Sequence, residues 1–196
     1  MGPLQVWSQW PEAEIQIVAK STEAISTDTV LQLLPTHNFE NCFERPDILF
    51  APGGTKATFE LLTDQITIEF LRSKGEHAHW VTSVCTGALL LGAAGLLEGY
   101  KATTHWAALD NLSNFGASAT EGRVVFDRNR VTGGGVTAGI DFGLALIAQI
   151  SGDQAAKEIQ LAVEYAPQPP FNSGTPAQAS EETVQAILTR FSESLA

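Results

Sequence analysis

The sequence predicts an α/β sandwich built on a mostly parallel sheet, and three observations carry that prediction. Short apolar runs of strand length alternate with amphipathic or wholly apolar runs of helix length. Two of the strand-like runs break into glycine-containing loops, at Pro52-Gly53-Gly54 and at Cys85-Thr86-Gly87. The second passes directly from strand into apolar helix, with a cysteine at the bend.

The elements follow in order. Residues 14–20 alternate as a strand should, and residues 29–34 read as a second strand ended by Pro35. Residues 46–51 form a buried strand that breaks into Pro52-Gly53-Gly54, and residues 60–74 follow as an amphipathic helix carrying Leu61, Leu62, Ile66, Phe70 and Leu71. After the strand that ends at Cys85, residues 86–98 are apolar on nearly all sides and predict a central buried helix closed by Gly99. Residues 101–104 predict a short strand, 106–115 a short helix stopped by Gly116, and 123–132 a hairpin turning at 127–130. Gly133-Gly134-Gly135 opens an apolar helix over 137–150, residues 153–165 form another, and the proline-rich stretch 166–176 is a surface loop. A polar amphipathic helix over 180–195 completes the pattern.

Composition bounds the function. The 196 residues are 44% hydrophobic, enough for one domain with a substantial core. A formal net charge of -11 argues against nucleic acid or anionic membrane as partner, since phosphate binding needs clustered Lys and Arg. No apolar run approaches the ~20 residues a bilayer helix needs, and residues 1–20 lack a basic region followed by an apolar stretch, so a soluble cytoplasmic protein is expected. Only Cys42 and Cys85 occur, without a paired CxxC motif, so neither a zinc site nor a structural disulfide is expected. His77 and His79 are two apart at the edge of a strand, on one face, and read as surface histidines without a third ligand.

Cys85 is the candidate nucleophile. A helix N-terminus offers unpaired N–H groups and a positive dipole end, which would favour thiolate and lower the thiol pKa. Gly87 leaves room for close backbone approach, and Thr86 adds an amide and a hydroxyl beside the sulfur. The alternative is a buried cysteine that merely fills space, but the flanking Thr82-Ser83 and Thr86-Gly87 suit a polar turn better than a packed core. Gly53 and Gly54 follow a neighbouring strand, so their amides and that of Thr86 are expected to form an oxyanion hole; the alternative for the glycines is an ordinary tight turn. Asp141, inside an apolar helix, reads as a structural hydrogen-bond acceptor.

Ala51-Pro52-Gly53-Gly54, the run 83–97 around Cys85, Ala102-Thr103-Thr104-His105-Trp106 and residues 132–141 together resemble the ThiJ/PfpI superfamily over almost the whole chain. Residues 160–174, with their prolines, resemble its isocyanide hydratase branch. The resemblance implies a flavodoxin-like three-layer sandwich forming a single domain over residues 1–196. It implies hydration of a small-molecule isocyanide to an N-substituted formamide, with Cys85 attacking the terminal carbon and Thr86, Gly53 and Gly54 contacting the polarised substrate. His105 would either face the sulfur or pack beside Trp106. No metal or organic cofactor is implied, and a homodimer is, with residues 167–176 as a candidate seam or pocket wall.

The family opens with a buried strand ending in an acidic residue before a Gly-Pro pair, whereas this sequence begins at Met1-Gly2-Pro3. A truncation relative to the family is therefore expected, leaving neighbouring strand edges unpaired. Two other functions stay open. The Cys85 and Thr104-His105-Trp106 motifs also occur in sensor domains of AraC-type regulators, and an accessible reactive thiol could serve redox or carbonyl-stress protection.

Overall fold

The computed structural model describes residues 1–195. It opens with a short helix α1 (Gly2–Trp7), to which hydrophobic patterning assigns nothing because its six residues are too few for a helical period to recur. Pro3 sits in its first turn, where a missing N–H costs nothing. The helix lies against glycines further along the chain: a Cβ at Gly139 would come 2.7 Å from Pro3 Cδ, and Trp7 Nε1 donates to Gly143 O at 3.3 Å.

The next segment departs from expectation. In place of strands over 14–20 and 29–34 there are four two-residue strands: β1 (Val18–Ala19), β2 (Ile25–Ser26), β3 (Gln32–Leu33) and β4 (His37–Asn38). β1 pairs parallel with β4, and β2 antiparallel with β3. Side-chain bonds set these limits: Thr36 Oγ1 accepts from Ile17 N–H at 2.9 Å and donates to Ile17 O at 3.2 Å.

β5 (Ile48–Ala51) begins the main sheet. The single helix expected over 60–74 is two, α2 (Lys56–Leu61) and α3 (Gln65–His77), because Asp64 accepts from Thr67 N–H at 3.1 Å and so caps a new start. β6 (Trp80–Val84) leads through Cys85 into α4 (Gly87–Ala93). That helix is shorter than the expected 86–98, since the chain turns at Gly95 with φ +77°. β7 (Lys101–Ala102), a 3₁₀ helix (Trp106–Phe115) stopped by Gly116 at φ +71°, and β8 (Ser118–Ala119) come next. The predicted hairpin is β9 (Val124–Asp127) and β10 (Arg130–Gly133). Helices α5 (Ala138–Ser151), α6 (Asp153–Ala162) and α7 (Glu181–Leu195) complete the chain.

The four-stranded sheet has the order β5-β6-β10-β9, parallel except for β10 against β9. Strand alternation splits it between two apolar layers. Leu49, Ala51 and Val81 join the layer of α3 and α4 with Leu71, Leu89 and Leu97. Ile48, Phe50, Val84 and Val131 join that of α1, α5 and α6 with Trp7, Phe142 and Leu146. The result is the expected three-layer sandwich, with β6 in its middle and Cys85 beyond that strand's carboxyl end, where open α/β sheets place their sites.

His77 and His79 do not share a strand face: His77 closes α3, and His79 lies before β6, its Nδ1 3.1 Å from Asp47 Oδ1. Asp141 accepts from Arg123 Nε at 2.6 Å and from the Tyr165 hydroxyl at 2.9 Å, the structural role expected of it. The loop that follows Tyr165 is exposed, Phe171 included.

Candidate active site

Cys85 has φ +53°, a left-handed conformation that costs a residue with a Cβ on the order of 1–3 kcal/mol. The surrounding backbone enforces it. Cys85 N–H donates to Gly133 O and Gly134 O at 3.0 and 2.9 Å, and Cys85 O accepts from the Thr104 hydroxyl at 2.6 Å. Gly87 is a steric requirement: a Cβ there would run into the carbonyl oxygen of Ala51 and lie 2.7 Å from that of Pro52. Gly53 is another, since its Cβ would come within 2.7 Å of both Cys85 Cβ and Thr86 N. Strand β5, its glycine loop and the bend after β6 are thus pressed together as the sequence predicts.

Three loops meet at the sulfur. Thr86 and Val136, the latter on the loop after β10, lie beside the Cys85 thiol, and their amides favour its charged form. Gly54 is placed differently from expectation. Its N–H donates to Thr86 Oγ1 at 3.0 Å while its carbonyl accepts from the same hydroxyl at 2.6 Å, so Gly54 locks its loop to the bend rather than presenting an open amide. The single hydroxyl proton of Thr86 is therefore directed to Gly54 O.

The electrostatics correct a second expectation. Burial pushes the half-buried Cys85 thiol above its ordinary range, and the neighbouring Asp28 carboxylate adds to the rise; the hydrogen bonds from Thr86 and Val136 pull the other way without reversing it. The charged form loses water, and the neighbouring polar groups do not replace it. The resting group is the thiol.

His105 packs as the second of its two alternatives has it. The imidazole stacks on Phe191 of α7 at 5.7 Å and 8°, with Trp106 tilted beside it at 5.6 Å and 31°. Burial lowers its pKa, which keeps it neutral, and its Nδ1 accepts from Ala107 N–H at 3.3 Å. A Cβ on Gly135 would come 2.8 Å from His105 Cδ2, so the ring adjoins the loop that carries Val136.

Thr104, Val136, Thr55 and Asp28 are absent from the sequence reading of the site. Thr103 and Thr104 carried a signal, because two adjacent threonines that are almost fully buried need partners: Thr103 O–H donates to Gly122 O, and Thr104 O–H to Cys85 O. Val136 and Asp28 had none, since one contributes only its backbone and the other sits 57 residues upstream of Cys85. Ser83 Oγ is buried at the carboxyl end of β6 without a partner among the described residues.

The fold is that of an α/β sandwich with a cysteine at a left-handed strand-to-helix bend beyond the sheet's carboxyl edge. The chain belongs to the DJ-1/PfpI family, which matches residues 1–149. It is 45% identical to an isonitrile hydratase of Pseudomonas putida over 194 residues, covering 99% of this chain and 84% of that protein. A crystal structure of a ThiJ/PfpI family protein from Pseudomonas syringae, also 45% identical, superimposes with a TM-score of 0.95 over 99% of this chain and 81% of the other. The HTH-type transcriptional regulator CdhR of Pseudomonas aeruginosa is 31% identical over 73% of this chain, which spans 40% of the regulator. No helix among the described residues is long and apolar enough to cross a membrane.

Proposed function

We propose that the chain is an isocyanide hydratase, with Cys85 as nucleophile. The observation that carries this reading is 45% identity to an isonitrile hydratase over 99% of the chain. The chemistry available at the bend agrees with it. An isocyanide, R–N≡C, needs both a sulfur and a proton delivered to one carbon, and a buried thiol brings both. The Cys85 sulfur bonds to the terminal carbon and the thiol proton ends on that same carbon, giving R–N=CH–S–Cys85. Water then adds to the carbon, the C–S bond breaks, the sulfur recovers a proton, and the product tautomerises to R–NH–CHO. Thr86, tied to Gly54 through its hydroxyl, follows the attacking residue directly and fixes the loop around it.

The dimer belongs to this reading, with exposed Phe171 on the proline-rich loop at the seam. Sedimentation of a monomer at working concentration would remove that part.

The test is turnover of cyclohexyl isocyanide to its formamide, followed by mass. The parent should form the formamide and Cys85→Ala should not. Equal rates in both, or none in the parent, would defeat the proposal.

A further inference from the structure

The turn between β2 and β3 is held by hydroxyls. Thr27 Oγ1 donates to Leu31 O at 2.9 Å and accepts from Thr29 N–H at 3.2 Å, and Thr29 Oγ1 accepts from Leu31 N–H at 3.2 Å. Apolar burial does not account for it, because Ile25, Val30 and Leu31 are all exposed. What the turn does is present one carboxylate to the glycine loop. Asp28 Oδ2 accepts from Thr55 N–H at 2.9 Å, and Asp28 Oδ1 from Thr55 O–H at 3.0 Å.

Two oxygens on two donors of one residue fix orientation as well as distance. Thr55 follows Gly54, and Gly54 is held through both its backbone groups by Thr86 Oγ1. A continuous tether therefore runs from the hairpin through Thr55 and Gly54 to the residue beside Cys85. A Cβ on Gly54 would lie 3.6 Å from Asp28 Oδ2, so the carboxylate sits against the loop itself.

We propose that Asp28 is a positioning residue for Cys85, clamping the Gly53-Gly54-Thr55 loop so that Thr86 meets the sulfur in reacting geometry. Its effect on turnover rests on the hydratase reading; its effect on the thiol does not. The field of Asp28 favours the protonated thiol, and His105, which adjoins Gly135, is kept neutral by burial.

The experiment measures the iodoacetamide alkylation rate of Cys85 against pH, read by peptide mass, with cyclohexyl isocyanide kinetics and a thermal midpoint, for Asp28→Asn and Asp28→Ala. Asp28→Asn keeps an acceptor for Thr55 N–H but removes the charge, so its alkylation profile should move to lower pH while kcat is largely retained. Asp28→Ala releases the loop, and kcat should fall by on the order of tenfold to a hundredfold with the thermal midpoint nearly unchanged, as displacements of about 1 Å at a reacting centre do. Equal alkylation profiles and equal kcat in both variants and the parent would overturn the proposal, as would losses that follow the thermal midpoint. If the parent turns over no isocyanide, the hydratase reading fails, and the difference in alkylation profile between the two variants alone decides the role of Asp28.

Discussion

β6 and β1 are both strands with a parallel neighbour, yet different forces hold them. In β6, Val81, Thr82 and Ser83 are completely buried between two apolar layers, and neighbours pair along both edges. β1 is half-buried, two residues long, and framed by Thr36 bonding to both backbone groups of Ile17. The first is an element made by packing, the second one made by a polar side chain standing in for backbone partners. Burial leaves a periodic trace in a sequence; a single threonine hydroxyl does not.

That contrast can be broken most severely at Gly87. Gly87→Val places side-chain atoms in the Ala51 carbonyl, a backbone group that cannot move aside, and should cost more than about 4 kcal/mol, seen as insoluble or unfolded protein by circular dichroism. Thr104→Val keeps volume but leaves the Cys85 carbonyl without its 2.6 Å donor. A loss of about 1–3 kcal/mol by urea titration is expected, with alkylation of Cys85 altered as the left-handed bend relaxes. In the polar region Thr36→Ala removes two bonds to Ile17 near solvent, and about 1 kcal/mol should be lost while alkylation of Cys85 is unchanged. A larger loss at Thr36 than at Thr104 would invert the comparison.

The smallest effect is on pH dependence. Because the folded state raises the Cys85 pKa, it binds a proton that the unfolded chain has released at about pH 8.5 and above. The thiol therefore contributes stability that is present below the unfolded value and disappears as pH rises through the folded one. The urea midpoint should fall further between neutral and alkaline pH in the parent than in Cys85→Ala. The opposite ordering would mean that the bend favours thiolate.

The same division explains how much of the molecule was legible. Apart from β8 and the split between α2 and α3, the order of the elements from β5 to α7 follows from apolar runs and from glycines at their ends, such as Gly116 behind the 3₁₀ helix. The boundaries that failed are those set by one polar group or one backbone angle: Asp64, which splits a helix, and Gly95, which ends one early. At the bend, Gly53 and Gly87 were readable because steric need dictates residue type. The amide of Val136 and the clamp at Asp28 were not, since a backbone donor carries no side-chain signature and the carboxylate acts across 27 residues of chain. The direction of the thiol's pKa failed for a related reason: dipole and amides are visible in a strand-to-helix pattern, whereas the depth of burial that outweighs them belongs to the finished fold.

Phe191 in the last turns of α7 has one ring serving two neighbours, stacked on His105 and edge-on to Phe59 of α2 at 6.1 Å. The last helix and the helix after the glycine loop consequently share an aromatic pin. A tilt of either helix slides that pin along the imidazole, so the wetness of His105 follows how α2 and α7 are seated against each other.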